Sequence, residues 1–291
     1  MSIGDAEIKT QERVIRFFKD PEILGYQYIG NLSDYQNKNI KEDRLRQYLR
    51  LKGYADKLID AAIMQLQQEA GNLSRGVYDA NKTVYSRLKY GIPVSESPEK
   101  PPVTVQLVDE EKPLNNDFAI AEEVTVVEQS EKRPDLVVYL NGIAVAVIEL
   151  KRSSISVSEG IRQNLTNQKN SFIQSFFTTM QFCMAGNESE GLRYGTLLTG
   201  EKFYMEWKDD GFKEHEEERD PVDVRISKTC EGIENKLLKQ IYAMFDKERF
   251  IDLIMNFVVF DKGIKKVCRY NQYFGIKRTQ QRLTNLRTEL H

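Results

Sequence analysis

Two carboxylates and a lysine stand at the ends of two apolar runs. Glu149 and Lys151 close a run that carries no charge from Ile143 to Ile148, and Asp135 directly precedes the run LVVYL. Residues two apart on a β-strand point to the same face, so Glu149 and Lys151 share one. A charge at the end of a buried strand is costly unless it is paired or binds a metal. Taken alone, the Glu149–Lys151 spacing fits an ordinary structural ion pair at least as well.

The Asn141-Gly142 pair between the two runs predicts a β-hairpin that brings Asp135 close to Glu149. With a strict two-residue turn, Asp135 falls opposite Ile148 and faces away from Glu149. With a three-residue turn that ends in a glycine bulge, Asp135 falls opposite Val147 and Glu149 becomes its diagonal neighbour on the same face, about 7–8 Å away. We therefore predict the bulged turn or an equivalent strand bulge.

This arrangement indicates metal-assisted chemistry. Two carboxylates, joined by the backbone carbonyl of Leu150, form an all-oxygen ligand set of the kind that Mg²⁺ prefers, and phosphate oxygens can complete it. Lys151 beside the metal can orient or help to deprotonate the attacking water and offset charge in the transition state. The predicted metal ligands are therefore Asp135, Glu149 and Leu150, and the predicted chemistry is phosphodiester hydrolysis.

The longer string RPDLVVYLNGIAVAVIELK, residues 133–151, resembles the signature of PD-(D/E)xK nucleases. It is similar in particular to the endonuclease segment of the restriction (R, or HsdR) subunit of type I restriction-modification enzymes. Segments 81–91 (NKTVYSRLKYG), 116–118 (NDF), 193–197 (RYGTL) and 203–208 carry the resemblance over most of the chain. It implies a RecB-like core, a mixed sheet flanked by helices, that cuts duplex DNA with Mg²⁺.

The same family places a glutamine and a tyrosine on the helix after the Glu-x-Lys strand. Gln163 matches the glutamine and implies an accessory catalytic residue, whereas Asn167 stands where the family has tyrosine and Gln168 is a candidate substitute. The resemblance also allows Glu12 in the first helix to supply an outer carboxylate, although a solvated helix position explains Glu12 as well.

Five basic residues are candidates for phosphate contacts, each of which could equally be plain surface charge. They are Lys82, Arg87, Lys89, Arg152 and Arg162.

The elements that must position these residues predict an α/β fold. Apolar spacings of three and four predict N-terminal helices over 5–19, 42–51, 56–68 and 79–89. Strands are predicted over 118–127, 136–140 and 143–150, and a hairpin over 194–198 and 202–207. Ser156-Val-Ser-Glu159 is a capping box that opens a helix, and further helices are predicted over 172–184, 233–245 and 249–257.

These elements, together with what the resemblance implies about a nuclease core followed by a motor, divide the chain into four parts. Residues 1–92 form a helical region packed on the nuclease, 93–225 the PD-(D/E)xK core, 226–260 connecting helices, and 261–291 the start of an ATP-dependent motor. The last thirty residues are basic and less regular, and we expect them to be poorly supported without the motor.

Composition excludes several other classes. With 291 residues, 40% hydrophobic and 30% charged, the chain has a globular balance, and no apolar run predicts a membrane helix or a signal core. Three scattered cysteines predict reduced thiols, not disulfides or a zinc site. His215 lies in a charged run expected to be a solvated loop and His291 is the last residue, which nearly excludes histidine catalysis. We expect a cytoplasmic protein.

No P-loop string is present, so we expect no ATP binding by these residues, and Gln272 would match the position that such motors place near adenine. The resemblance therefore implies an amino-terminal fragment, with ATP needed only by the full-length subunit and with duplex DNA, a methyltransferase and a specificity subunit as partners. Two alternatives stay open: a catalytically idle nuclease fold that binds DNA or docks subunits, favoured by Asn167, and a stand-alone repair or mobile-element nuclease.

Overall fold

The computed structural model describes residues 3–97, 99–208 and 219–289. In these ranges the helices are Ile3–Lys19 (α1), Glu42–Leu51 (α2), Asp56–Gly71 (α3), Val77–Tyr90 (α4), Val157–Asn167 (α5), Pro221–Glu231 (α6), Lys236–Phe245 (α7), Lys247–Asn256 (α8) and Tyr270–Glu289 (α9). Short 3₁₀ helices cover Pro113–Asn115, Gln174–Thr179 and Glu201–Phe203. Most of the charged run, with His215 and His291, lies outside the described residues.

The strands are Gln27–Asn31 (β1), Ile92–Val94 (β2), Val103–Val105 (β3), Phe118–Glu122 (β4), Val126–Val127 (β5), Glu131–Lys132 (β6), Leu136–Leu140 (β7), Ile143–Leu150 (β8), Phe182–Asn187 (β9), Gly191–Gly195 (β10), Val258–Asp261 (β11) and Ile264–Val267 (β12). Six of them form one sheet in the order β1-β4-β7-β8-β9-β10. β1 runs parallel to β4 and β8 parallel to β9, and the other neighbours are antiparallel. The predicted α/β class, with a mixed sheet and a helical N-terminus, is confirmed.

The sheet buries both of its faces. Along β7, Leu136, Val138 and Leu140 pack with α1, α2, α3, α7 and α8, whereas Val137 and Tyr139 face a second cluster around the 3₁₀ helix Gln174–Thr179. Alternate residues of a strand point to opposite faces, so a sheet covered on both sides needs apolar residues at every position. β8 meets this requirement, since all eight of its residues are buried.

The helical periodicity of the N-terminal region is confirmed. In α2 the residues at spacings of three and four, Leu45, Tyr48 and Leu49, are buried. In α3, Ile59, Ile63 and Leu66 are buried in the same way. Strand β1, which follows α1 and precedes α2 in the chain, was not predicted from the sequence. It forms one edge of the central sheet.

Two sequence predictions between α5 and α6 are wrong. The helix predicted over 172–184 is instead a 3₁₀ helix followed by β9, a strand whose residues are all buried. Because a strand buried on both faces lacks alternation, periodicity does not distinguish it from a helix. The hairpin predicted around residues 199–201 is absent from the described residues there: β10 pairs with β9, and only Tyr194 bridges to Met205.

The segment 258–277 is better supported than predicted. Lys265 is 2% exposed, and its ammonium donates to Asn81 Oδ1 at 2.8 Å, Gln181 Oε1 at 2.7 Å and the Met180 carbonyl at 2.9 Å. On α9, Tyr273 is buried. These contacts tie β12 and the start of α9 to the nuclease-like core. No helix within the described ranges combines the length and the apolar character that crossing a membrane requires.

Candidate functional site

The turn between β7 and β8 is a tight two-residue turn. Leu140 pairs with Ile143, and both turn residues have positive φ, 51° at Asn141 and 81° at Gly142, as a type I′ turn requires. A Cβ at Gly142 would lie 2.6 Å from the Lys41 carbonyl oxygen, so only glycine fits. The predicted three-residue turn is therefore wrong.

The predicted alternative, a strand bulge, is present instead. Tyr139 pairs with Ala144 but Val138 pairs with Ala146, so Val145 is an extra residue in β8. The carbonyl of Val145 accepts a hydrogen bond from Gln181 N at 2.7 Å. The bulge shifts the later pairs by one residue, which changes which side chains share a face.

Beyond the bulge, Leu136 pairs with Ile148, and the same register continues to place Asp135 across from Glu149. Asp135 Oδ2 accepts a hydrogen bond from the backbone N–H of Leu150 at 2.7 Å. The two carboxylates are therefore directly opposed, closer than the diagonal relation that the sequence analysis predicts.

Lys151 lies beside the two carboxylates and carries three interactions. Its Nζ is 3.1 Å from Glu7 Oε1 and 3.9 Å from Asp135 Oδ2, and it donates to the Leu150 carbonyl oxygen at 3.0 Å. The carbonyl predicted as a metal ligand is thus engaged by the lysine. The ammonium bridges strand β8 and helix α1.

Helix α5 supplies the fourth predicted residue. The Ser156 side chain caps its N-terminus by accepting from Ser158 N, as the sequence indicates. Gln163, about two turns after this cap, donates from Nε2 to Glu149 Oε2 at 2.7 Å. Gln163 therefore contacts a carboxylate, not Lys151.

Glycine at position 160 allows α5 to approach the sheet this closely. A Cβ there would lie 2.9 Å from the Cβ of Ala185 on β9 and 3.4 Å from the Cβ of Glu149. The first distance is shorter than side chains tolerate, so any larger residue must push the helix away.

Glu149 is held in an unfavourable state. Its side chain is 0% exposed, and Oε1 has no hydrogen-bond partner within the described residues. Burial, together with the charge of Asp135, raises the pKa of Glu149 well above its usual range, which Lys151 only partly counteracts. A buried carboxylate oxygen without a donor is costly unless a cation or a proton reaches it.

The pKa values of Asp135 and Lys151 are shifted by the same burial and the same nearby charges. Burial raises the pKa of Asp135 to about 6, although Lys151 and the Leu150 N–H act to lower it. Burial lowers the pKa of Lys151, but the charges of Asp135, Glu149 and Glu7 outweigh that effect and leave it raised. The lysine is therefore a stable cation facing carboxylates that are crowded together.

The donor set fits a hard divalent cation. Asp135 and Glu149 offer only oxygen atoms, and one of these, Glu149 Oε1, finds no partner among the residues that the structure describes. Within the described residues no three or more histidine, cysteine, aspartate or glutamate side chains are grouped so that they could hold a metal ion. Two carboxylates suit Mg²⁺, which keeps several waters and shares its remaining positions with substrate oxygens.

Asn167, at the position where the family has tyrosine, and Gln168, its candidate substitute, have different surroundings. Asn167 is 2% exposed and lines a cleft beside the carboxylates. Gln168 donates to the Asn164 carbonyl at 3.1 Å and accepts from Leu198 N at 2.6 Å. Both ends of the Gln168 amide are thus committed to holding the fold.

Three of the predicted phosphate contacts lie on α4. Lys82 is exposed. Arg87 forms two hydrogen bonds with Glu69, each of 2.8 Å, and Lys89 donates to the carbonyl of Met255. The structure does not bring these side chains to Asp135 and Glu149, and their DNA-binding role stays a prediction.

The other two candidates flank the site. Arg152 is half-buried, and its Nε has no partner among the described residues. Arg162 on α5 lines the cleft, where it is paired with Glu201 at 3.0 Å and Glu159 at 2.8 Å. Their role in DNA binding likewise stays a prediction.

Glu12 was the acidic residue of the first helix considered from the sequence, whereas Glu7 on α1 and Glu123 after β4 were missed. Glu12 is exposed, and Glu7 is the α1 residue that reaches Lys151. Gln11, which is four residues after Glu7 and so on the same helix face, donates to Glu123 Oε1 at 3.1 Å. Glu123 N in turn donates to the Asp135 carbonyl. The sequence feature that could have indicated these two residues is their spacing of four, which places Glu7 and Gln11 on one face of a helix.

Comparison with known proteins shows to which family the chain belongs. The profile of the family described as type I restriction enzyme R protein N terminus (HSDR_N) matches residues 7–203. The chain is 27% identical over 275 residues to a Methanocaldococcus jannaschii protein with the provisional name type I restriction enzyme MjaVIIIP endonuclease subunit, which covers 91% of this chain and 24% of that relative. It is 26% identical over 210 residues to the type I restriction enzyme HindI endonuclease subunit of Haemophilus influenzae, covering 67% of this chain and 18% of the relative.

The chain thus spans about a quarter or less of the length of these curated relatives. The match includes every residue of the site, from Glu7 on α1 to Gln163 on α5. On this evidence, the chain belongs to the family described as type I restriction enzyme R protein N terminus.

Proposed function

We propose that the chain is the nuclease region of a type I restriction enzyme R protein and hydrolyses phosphodiester bonds of duplex DNA with Mg²⁺. The observation that carries this proposal is the opposed pair Asp135 and Glu149 with a lysine at their edge. One buried oxygen of Glu149 has no hydrogen-bond partner in the described part of the chain. The buried oxygens of a purely structural ion pair are usually satisfied by hydrogen bonds.

Asp135 and Glu149 would hold the Mg²⁺, and waters and DNA phosphate oxygens would complete its coordination. When bound, the metal would activate a water and neutralise charge on the phosphate. Gln163 keeps Oε2 of Glu149 in place through its 2.7 Å hydrogen bond. It is therefore a positioning residue for the carboxylate in this proposal.

Lys151 would act as a hydrogen-bond donor. Its raised pKa keeps the ammonium protonated, and a protonated amine donates to phosphate oxygens but does not accept a proton from water. Of the two roles considered from the sequence, orienting the water and offsetting charge on the phosphoryl group is the one that this environment supports. Glu7 holds the ammonium from the opposite side.

The rest of the assembly is proposed from the family. A full-length R protein would add an ATP-dependent motor and act in the cytoplasm with a methyltransferase subunit and a specificity subunit that selects the DNA sequence. Since the chain spans 24% or less of its relatives, ATP would be needed only by the longer protein. We expect these residues alone to nick or cut DNA weakly and without sequence preference.

The test is Mg²⁺-dependent conversion of supercoiled plasmid by the wild-type chain and by Asp135→Ala and Lys151→Ala. We expect Lys151→Ala to slow cutting about 10²–10³-fold, the loss typical of removing a transition-state donor. Asp135→Ala should abolish cutting and also weaken Mg²⁺ binding measured by calorimetry. Lys57→Ala, an exposed lysine on α3, is the matched control and should cut at the wild-type rate.

Two results would count against the proposal. If wild type and Asp135→Ala bind Mg²⁺ equally, the carboxylate pair is not the metal site. If wild type neither binds Mg²⁺ nor cuts DNA, the idle-module alternative, favoured by asparagine at position 167, replaces the nuclease.

A third variant tests how α5 positions the site. Gly160→Leu should destabilise the protein by about 1–3 kcal/mol through overpacking against Ala185. It should also reduce cutting by about 10²-fold, because displacement of α5 withdraws Gln163 from Glu149. Gly71→Leu is the control, since no atom of the described residues lies within 4 Å of a Cβ there. Undiminished cutting by Gly160→Leu would show that the close approach of α5 is not needed.

A further inference from the structure

A basic cleft opens beside the carboxylate pair. It has a volume of about 370 Å³, near the lower end of the roughly 300–1,000 Å³ range of ligand pockets. Its lining residues are Lys132, Arg133, Lys151, Glu159, Arg162, Gln163, Thr166 and Asn167. Lys151 and Gln163 belong to both the cleft and the candidate active site, so the two are continuous.

The charge of the cleft is strongly positive. Four of the lining residues are lysine or arginine and one is a glutamate, in a chain whose formal net charge is −2. A local concentration of cations of this kind attracts phosphates even where the whole protein has no basic field.

The cations of the cleft are not equally available. Arg162 is already neutralised by Glu201 and Glu159 at 2.8–3.1 Å. The only carboxylate near Arg133 within the described residues is Glu131, at 3.9 Å. Lys132 has no salt-bridge partner there, and its Nζ lies 4.7 Å from the centre of the Phe172 ring. Lys132 and Arg133 therefore retain charge for a ligand.

The segment that carries these two residues is held firmly. Arg133 Nε donates to Thr125 Oγ1 at 3.1 Å. The carboxylate of Glu128, in the β5–β6 connection, accepts hydrogen bonds from Ser175 N at 3.0 Å and Ser175 Oγ at 2.7 Å. A cation on a fixed segment loses little conformational entropy when it binds a ligand.

Asn167 offers hydrogen-bonding groups to a ligand in the cleft. It is 2% exposed and lines the cleft, and its side-chain amide has no hydrogen bond within the described part of the chain. An amide carries two N–H donors, which commonly contact phosphate oxygens.

We propose that this cleft binds the sugar-phosphate backbone of the DNA strand next to the phosphate that is cut, with Lys132 and Arg133 as its main phosphate contacts and Asn167 as a hydrogen-bond donor. The inference rests on the proposed function for the identity of the ligand as DNA. It assigns the main phosphate contacts to Lys132 and Arg133 at the β6 end, neither of which is among the five cations suggested by the sequence.

The experiment measures binding separately from cutting. A short fluorescent duplex is titrated with the 291-residue chain in EDTA, in a salt series from about 50 to 200 mM, and anisotropy gives Kd at each concentration. The test variant is Lys132→Ala with Arg133→Ala. The matched control is Lys57→Ala with Arg75→Ala, which removes one lysine and one arginine that are exposed and do not line the cleft. Circular dichroism checks that both variants are folded.

The slope of log K against log salt is negative, and each phosphate contact contributes about 0.9 to its magnitude. We expect the loss of two contacts in the test variant to reduce this magnitude by about 2. The ratio of wild-type to variant affinity should consequently be about tenfold larger at 50 mM than at 200 mM salt. The control should match wild type. Asn167→Asp, which replaces the amide by a carboxylate of the same shape, should also weaken binding.

An unchanged slope in the test variant, or an equal loss in the control, would overturn the inference. Failure of the wild-type chain to bind duplex would overturn it as well. The plasmid and Mg²⁺-binding assays decide the proposed function independently. A chain that binds DNA through the cleft but neither binds Mg²⁺ nor cuts keeps this inference and contradicts the nuclease. A chain that cuts, but whose salt slope is unchanged in the test variant, keeps the nuclease and contradicts this inference.

Discussion

Glu149→Gln is expected to abolish Mg²⁺-dependent cutting while making the metal-free protein more stable. The glutamine has the same shape and can still accept the hydrogen bond of Gln163. It removes a charge that is 0% exposed and lies opposite Asp135. Removing an unsatisfied buried polar group should raise the free energy of unfolding by about 1–3 kcal/mol. Loss of a metal-binding carboxylate should cost several kcal/mol of transition-state stabilisation, about 10³-fold in rate.

Opposite changes in stability and activity are characteristic of a residue retained for function at a cost in folding. Urea unfolding in EDTA and the plasmid assay with Mg²⁺ would measure the two effects on one preparation. Glu22→Gln, the same chemical change at an exposed position, should alter neither. A Glu149→Gln protein that is less stable than wild type would mean that Glu149 is a structural partner whose negative charge the fold needs.

The second large effect is a loss of stability with rising pH in the metal-free protein. Burial raises the pKa of Asp135 from 3.8 to about 6. The folded state therefore binds more protons than the unfolded state between these values. The contribution of Asp135 to the free energy of unfolding is complete below pH 4 and is lost as the pH rises through 6. At 1.36 kcal/mol per pKa unit the loss is about 3 kcal/mol.

Asp135→Asn isolates this contribution, because the asparagine does not titrate. Between pH 4 and 6.5 we expect the wild-type free energy of unfolding in EDTA to fall relative to that of Asp135→Asn by up to about 3 kcal/mol. Glu149, whose pKa is also raised, extends the fall in the same direction. Parallel pH profiles for the two proteins would show that Asp135 is not destabilised when charged.

Addition of Mg²⁺ at pH 7 should offset the loss in wild type only. A ligand that binds the folded state at 100 times its Kd adds about 2.7 kcal/mol. The increase should be absent in Asp135→Asn and in Glu149→Gln. If Mg²⁺ raised the free energy of unfolding equally in all three proteins, the metal would bind at a site other than Asp135 and Glu149.

Several features could be read from local sequence patterns. The identities of Asp135, Glu149 and Lys151, the two hairpin strands and the Ser156 cap depend on spacings of a few residues, which secondary structure converts directly into geometry. The helical N-terminal region likewise followed from apolar spacings of three and four.

The position of the bulge depended on tertiary contacts. Asn141 is buried and accepts from Asp117 N at 2.7 Å, and Gly142 lies against the backbone of α2. These contacts hold the turn to two residues. The extra residue is therefore accommodated at Val145, where Gln181 N satisfies its carbonyl.

The remaining features of the site also came from packing. Glu7 contacts Lys151 across 144 residues of sequence, and Arg162, a candidate from sequence, is neutralised by Glu201. Sequence patterns report which side chains share a face of one element. Which face meets which element, and which charges remain available after pairing, is decided when the helices pack on the sheet, because burial and distance set the energy of each charge.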